Sequence, residues 1–205
     1  YPSNEYGNVK TLVICIKPHQ RNVIREIMND FPACKTIISF MAGISTQVMY
    51  EICGNNVHIC RVMANVSIGV RPSTIAAYNF DALNLDCKEV LKALGPCLLI
   101  DDEDKMHAIT VLLGSLPAFL LEFTAQIQSW GNQYLDPTIA SSLVKESSMA
   151  ASEMVRSDVS IQKTILDIAS KGGVTEAGLN VMRSGEQMNL LQSFLNTALE
   201  RSREL

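Results

Sequence analysis

The sequence predicts an α/β layered sheet followed by an all-helical region. Short apolar runs rich in β-branched residues alternate with amphipathic stretches from about residue 9 to 102. The β signal stops at the acidic break DDED (101–104). Beyond it the chain reads as helix, with proline and capping residues at the expected starts.

TLVICI (11–16) is a continuous apolar run ending at Lys17-Pro18, as in a buried parallel strand. RNVIREIMND (21–30) has helical spacing, with Val23, Ile24, Ile27 and Met28 on one face. KTIISFMAG (35–43) reads as a strand closed by glycine, and STQVMYEIC (45–53) as a helix with Ser45 as N-cap. VHICRVM (57–63), STIAAY (73–78) and CLLI (97–100) are further strands, the last preceded by the helix CKEVLKAL (87–94). Helices are then expected over 105–113, 117–133, 137–157, 159–169, 175–184 and 187–204. Pro117 and Pro137 suit first turns and Asp136 an N-cap. The 136–155 segment sets Ile139, Leu143, Ser147, Ala150 and Met154 on one stripe, with many small residues. Such a stripe fits either a tightly packed core or a helix-mediated dimer. LLGSLPAFL (112–120) reads as a helix break.

With 47% hydrophobic and 19% charged residues over 205 positions, the chain is globular. A net charge of −4, with Lys and Arg scattered, argues against nucleic acid as a partner. The six cysteines (15, 34, 53, 60, 87 and 97) include no C-x-x-C pair and read as buried free thiols of a reducing cytoplasm. His19, His58 and His107 are far apart, so no metal site is expected. The apolar runs read as too short to cross a bilayer, and the start does not resemble a signal peptide, so no membrane is expected. The chain opens at Tyr1 without an initiator methionine, as a partial or trimmed chain does.

No two glycines are separated by one residue, so the G-x-G-x-x-G phosphate loop is absent from this chain, as are a P-loop, a nucleophile elbow and H-E-x-x-H. The stretch DIASKGGVTEAGL (167–179) carries the local chemistry. Gly172 and Gly173 let backbone approach a ligand closely. Thr175 reads as the N-cap of the following helix, with Glu176 in its first turn complementing the dipole. Two readings stay open: an ordinary helix-to-helix turn, or a loop holding a small carboxylate or phosphate.

Taken together, six motifs in order resemble pyrroline-5-carboxylate reductase. CIKP (15–18) is similar to that family's strand ending in VKP, SFMAGIS (39–45) to SxxAGI, and RVMANVS (61–67) to RxMPNTP. GSLPAF (114–119) resembles GSGPAY, SKGGVTEAGL (170–179) resembles SPGGTTIAGL, and ALERSREL (198–205) resembles ATERSREL. The resemblance implies a partial Rossmann-type parallel sheet domain over residues 1–102 and an all-helical dimerisation and substrate-binding domain over 103–205. In this family the phosphate loop precedes the strand ending in KP, so the nucleotide domain is expected to be incomplete.

The resemblance also implies roles. Lys17, Pro18, Ala42, Gly43 and Asn65 match loops lining the nicotinamide of NADPH or NADH. Ser170, Gly172, Gly173 and Val174 match a loop holding the carboxylate of a small imino-acid substrate, contributed across a homodimer or a ring of dimers. Thr175 matches the catalytic position, bonding the ring nitrogen or a nearby water. Hydride then passes to the imine carbon.

The departures fall within the motifs. Val66 and Ser67 replace threonine and proline, Leu116 replaces a glycine, Lys171 a proline, and Val174 a small or hydroxylic residue. Three expectations follow: an active pyrroline-5-carboxylate reductase, a related oxidoreductase for another imine or carbonyl, or a non-catalytic dimeric interaction protein.

Overall fold

A computed structural model of the chain describes residues 8–157 and 159–205. Five strands, β1 (Thr11–Ile14), β2 (Thr36–Ser39), β3 (His58–Ala64), β4 (Ile75–Tyr78) and β5 (Cys97–Ile100), form one sheet in sequence order. Helices α1 (Val23–Asp30) and α2 (Thr46–Cys53) carry the chain between β1, β2 and β3, which are parallel. Helix α3 (Leu85–Leu94) does the same for β4 and β5.

The sheet is parallel, as expected, at every pairing but one, where β4 runs antiparallel to β3. Only residues 65–74 separate these strands, and they contain no α-helix, just the short 3-10 turn Val66–Gly69. A parallel crossover needs about a dozen residues or more, usually a helix, so the chain folds straight back. The sheet is consequently staggered. Ile14, Ser39, Arg61, Tyr78 and Ile100 make the single register row in which all five strands lie abreast.

The inner strands β2, β3 and β4 are buried on both faces, which explains their apolar runs, whereas Val13 of β1 and Leu98 and Leu99 of β5 are exposed. Ile37 and Ile59 pack with Ile24 of α1 and Met49 of α2. Ile38, Cys60, Val62 and Ile75 pack on the other face with Cys87 and Leu91 of α3. The caps behave as local chemistry dictates. Ser45 Oγ accepts from the Val48 N–H at 3.2 Å, and Asn84 Oδ1 from the Cys87 N–H at 2.9 Å.

Beyond the sheet, α4 (Lys105–Ile109), a π-helical turn (Thr110–Ser115) and α5 (Leu116–Gly131) make one unbroken helix, so the expected break near Pro117 is replaced by a widened turn. Proline has no N–H to give to the carbonyl four residues earlier, and a π turn absorbs the mismatch. An 18-residue window of helix Lys105–Gly131 has mean hydropathy 1.7, so the helix is long and apolar enough to cross a membrane by length and composition alone. That corrects the expectation that the apolar runs are too short to cross a bilayer.

Helices α6 (Pro137–Arg156), α7 (Ile161–Ile168), α8 (Val174–Met182) and α9 (Gly185–Glu204) complete the chain. Asp136 caps α6, its Oδ1 accepting from the Thr138 N–H at 2.8 Å, with Pro137 in the first turn. Two compact units result, Tyr1–Pro117 with Asn196–Leu205, and Ala118–Leu195. Within the second, Phe194 meets Phe119 edge-on at 5.2 Å. A Cβ at Gly131 would stand 3.3 Å from that of Ala140, so α5 and α6 pack closely. Ile139, Leu143 and Met154 of the expected stripe face solvent in the single chain, as do Leu121 and Trp130. An apolar surface of that extent marks an interface.

All six cysteines are free. Cys34, Cys60 and Cys87 are buried as expected, whereas Cys15 is exposed. Burial pushes the Cys53 thiol up to about 11 and that of Cys60 to about 12, leaving both inert at neutral pH.

Candidate functional site

Because β1, β2 and β3 are parallel, the loops that leave them emerge along one edge, where ligands of open α/β sheets bind. The structure thereby brings together Lys17, Pro18, Ala42, Gly43 and Asn65. Lys17 is exposed with extended backbone, and its N–H donates to Gln20 Oε1 at 3.2 Å. Pro18 opens a 3-10 turn, Pro18–Gln20. Gly43 adopts φ +75° and is buried, and a Cβ there would lie 2.6 Å from that of Leu205. Only glycine fits that position.

Asn65 uses both ends of its amide. Oδ1 accepts from the Ser67 N–H at 2.9 Å, and Nδ2 donates to the Leu113 carbonyl at 3.1 Å. Its side chain thus ties the end of β3 to the π turn.

Behind this edge lies a polar cluster that the sequence analysis did not single out. Arg61, 1% exposed in the middle of β3, donates from Nη1 to Glu103 Oε1 at 3.2 Å. Glu103 also accepts from the backbone N–H and the hydroxyl of Thr46, at 2.7 and 2.6 Å. It therefore anchors the start of α2, directly after the Ala42–Gly43 loop. The Nε and Nη2 of Arg61 are buried without a hydrogen-bond partner among the described residues. Burial pulls the Arg61 guanidinium below its ordinary range, while Glu103 pushes it back up. His107 Nδ1 lies 3.0 Å from Ser202 Oγ. Burial first, then the neighbouring Arg61, holds that imidazole below its ordinary value. One signal was legible: a lone arginine in an apolar strand run demands a buried partner.

The other expected residues lie in the second unit, Ser170, Gly172 and Gly173 in the loop between α7 and α8, and Val174 and Thr175 at the start of α8. Gly172 takes φ +71°. Gly173, extended, donates its N–H to the Ser170 carbonyl at 2.9 Å and serves as the N-cap of α8. That corrects Thr175 as the cap: the helix starts at Val174, which leaves Thr175 at its second position. Glu176 reaches back across this start, its Oε2 accepting from the Gly172 N–H at 2.7 Å. This acidic residue in the first turn ties the helix start to the loop before it and complements the dipole, and among the described residues no side chain caps the first N–H groups of α8. Ser170, Thr175 and Val174 are exposed, Val174 at 93%. Within its unit the loop thus offers the Ser170 and Thr175 hydroxyls and one apolar side chain to an outside group, while the Gly172 and Gly173 N–H groups are held by Glu176 and by the Ser170 carbonyl.

Comparison with known proteins supplies context. Residues 103–205 match the family model for pyrroline-5-carboxylate reductase dimerisation. Pyrroline-5-carboxylate reductases of Staphylococcus epidermidis and Staphylococcus aureus are each 29% identical over 196 residues, spanning 92% of this chain and 72% of theirs. Among solved structures, Plasmodium falciparum pyrroline carboxylate reductase with NADP bound is similar in fold, at TM-score 0.84 and 22% identity, over 98% of this chain and 79% of that one. The Streptococcus pyogenes 1-pyrroline-5-carboxylate reductase follows at TM-score 0.81 and 23% identity, over 96% and 77%.

Proposed function

This chain belongs to the pyrroline-5-carboxylate reductase family, and from that premise we propose that it reduces 1-pyrroline-5-carboxylate to L-proline with NADPH or NADH, a step of proline biosynthesis. The observation that carries the reading is the exposed loop Ser170–Thr175, with left-handed Gly172 and extended Gly173, inside the matched region.

In this reading Ser170 and the backbone of Gly172, Gly173 and Val174 hold the substrate carboxylate, as a backbone nest at a helix start does for anions. Thr175 hydrogen-bonds the ring nitrogen, or a water beside it, and keeps the site ready for the proton that nitrogen takes up. Lys17, Pro18, Ala42, Gly43 and Asn65 seat the nicotinamide side of the cofactor. Support for that fit is the meeting of their three loops at one sheet edge, with buried backbone at Gly43. The reduced nicotinamide supplies a hydride to the imine carbon. Positioning and charge placement do the rest.

The family's dimerisation model supports an oligomer. A homodimer that buries the apolar helical faces is the form proposed here, alone or as a ring of dimers. Six unpaired cysteines support a cytoplasmic setting.

A second reading, a reductase shifted to a more apolar imine, is favoured by Val66 and Val174. They are 73% and 93% exposed where the family motifs carry hydroxylic or small residues. One assay separates the two: loss of reduced-nicotinamide absorbance by the full-length protein, with 1-pyrroline-5-carboxylate and with uncharged cyclic imines. Turnover of the carboxylate substrate, reduced roughly ten-fold or more by Thr175→Ala, is the expected result. Turnover of uncharged imines alone selects the second reading, and no turnover with either nicotinamide overturns both.

A further inference from the structure

The end of α9 touches two of the three loops at the sheet edge. A Cβ on Gly43 would stand 2.6 Å from Leu205 Cβ, 2.7 Å from the Ser202 backbone oxygen and 2.8 Å from Leu205 Cδ1. The backbone after β2 therefore rests directly on Leu205. The backbone oxygen of Leu205 accepts from Arg21 Nη1 at 3.0 Å, and Arg21 immediately follows the Pro18–Gln20 turn after β1. One residue thus bridges both loops. Its side chain also packs into the cluster containing Met41 and Ile44, which flank Ala42–Gly43. The helix end is itself pinned, since Ser202 meets His107 and Arg203 pairs with Asp104 at 3.1 Å.

A loop built on a left-handed glycine has no side chain of its own to hold it, and glycine loses the most freedom on ordering. Its shape is set by the wall it lies against. We propose that Leu205 is a positioning residue, fixing the spacing between the Lys17–Pro18 turn and the Ala42–Gly43 loop and, through them, the seat of the nicotinamide ring. The inference rests on the role given to those loops under the proposed function. Leu205 acts through the loops and needs no contact with the cofactor. Pre-organising the seat tightens cofactor binding by removing an ordering cost at the moment of binding.

The test compares the full-length protein with Leu205→Ala and Leu205→Met. Amide hydrogen exchange is followed by peptide, and NADPH and NADH binding by fluorescence titration. Leu205→Ala is expected to speed exchange over residues 40–45 about ten-fold while residues 59–63 stay unchanged. It is also expected to raise the cofactor Kd by about the same factor with kcat little altered, and Leu205→Met restores both. Gly43→Ala, which pushes on the contact from the other side, is expected to reproduce the loosening. Unchanged exchange over 40–45, an equal rise throughout β3, or a loosened loop with unaltered Kd each overturns the proposal. If the unsubstituted protein binds neither nicotinamide, it is the reading of the loops that fails. The exchange comparison still decides whether Leu205 holds them.

Discussion

The Asn65 side-chain amide donates at 3.1 Å to the Leu113 carbonyl, the group that an α-helix would pair with the N–H of residue 117, which is proline. A side chain from the end of β3 thus reaches an acceptor that Pro117 cannot serve.

Asn65→Ala is expected to cost about 1–3 kcal/mol, because it strips a partner from a part-buried carbonyl and releases the Ser67 N–H. Adding Pro117→Ala to that variant restores an N–H for Leu113, so the double variant should be more stable than Asn65→Ala alone. Urea unfolding of the single and double variants measures this, and strictly additive losses would refute the pairing.

Glu103→Ala leaves the 1%-exposed Arg61 charged and uncompensated, at an expected cost of about 3 kcal/mol. It also frees the start of α2, where Thr46 loses both bonds. The pair Arg61→Leu with Glu103→Leu should be less damaging than the sum of its parts. A coupling near zero in that double-mutant cycle would show the two residues to be independent.

The pH dependence follows from His107. Its folded pKa lies below the ordinary 6.5, since burial and Arg61 oppose the imidazolium while Asp104 favours it and Arg203 opposes it. As pH falls below that ordinary value the unfolded chain takes up more protons than the folded one. The stability associated with the neutral ring is therefore whole above the unfolded value and lost as pH falls through the folded one. Melting temperatures at about pH 7.5 and about pH 5.5 should differ less for His107→Gln than for the unsubstituted protein. Equal differences would remove His107 from the acid response.

At the α8 loop, the Glu176 carboxylate holds the Gly172 N–H that the proposed function assigns to substrate. Glu176→Ala should lower the KM for 1-pyrroline-5-carboxylate about three-fold and cost about 0.5–1 kcal/mol in stability. A KM that stays level or climbs would take Gly172 out of carboxylate binding.

What the sequence disclosed tracks how local each determinant is. Strands β1 to β5, the Ser45 and Asp136 caps and the turn at Gly172–Gly173 depend on neighbours within a few residues, and all were readable. The reversal of β4 was also readable in principle, because residues 65–74 leave no room for a crossover helix. The α8 start was misassigned because an extended glycine opens the helix with no side-chain cap, a choice that no hydroxyl in the sequence signals. Arg61 with Glu103, Asn65 with Leu113, and Gly43 with Leu205 could not be paired, since each joins positions far apart in sequence. The residues assigned to the site were found through motif likeness, while the partners that hold them came only with the fold.

The staggered sheet has a mechanical side. β1 and β2 form one panel, β4 and β5 another of opposite sense, and β3 is the spine to which both are fastened. The row through Arg61 is where a residue of every strand lies abreast. The guanidinium stands at that row, clasped by a carboxylate lying just past the end of β5. The charge pair thus fastens the spine strand to the chain leaving β5 and, through Thr46, to the helix that follows Gly43.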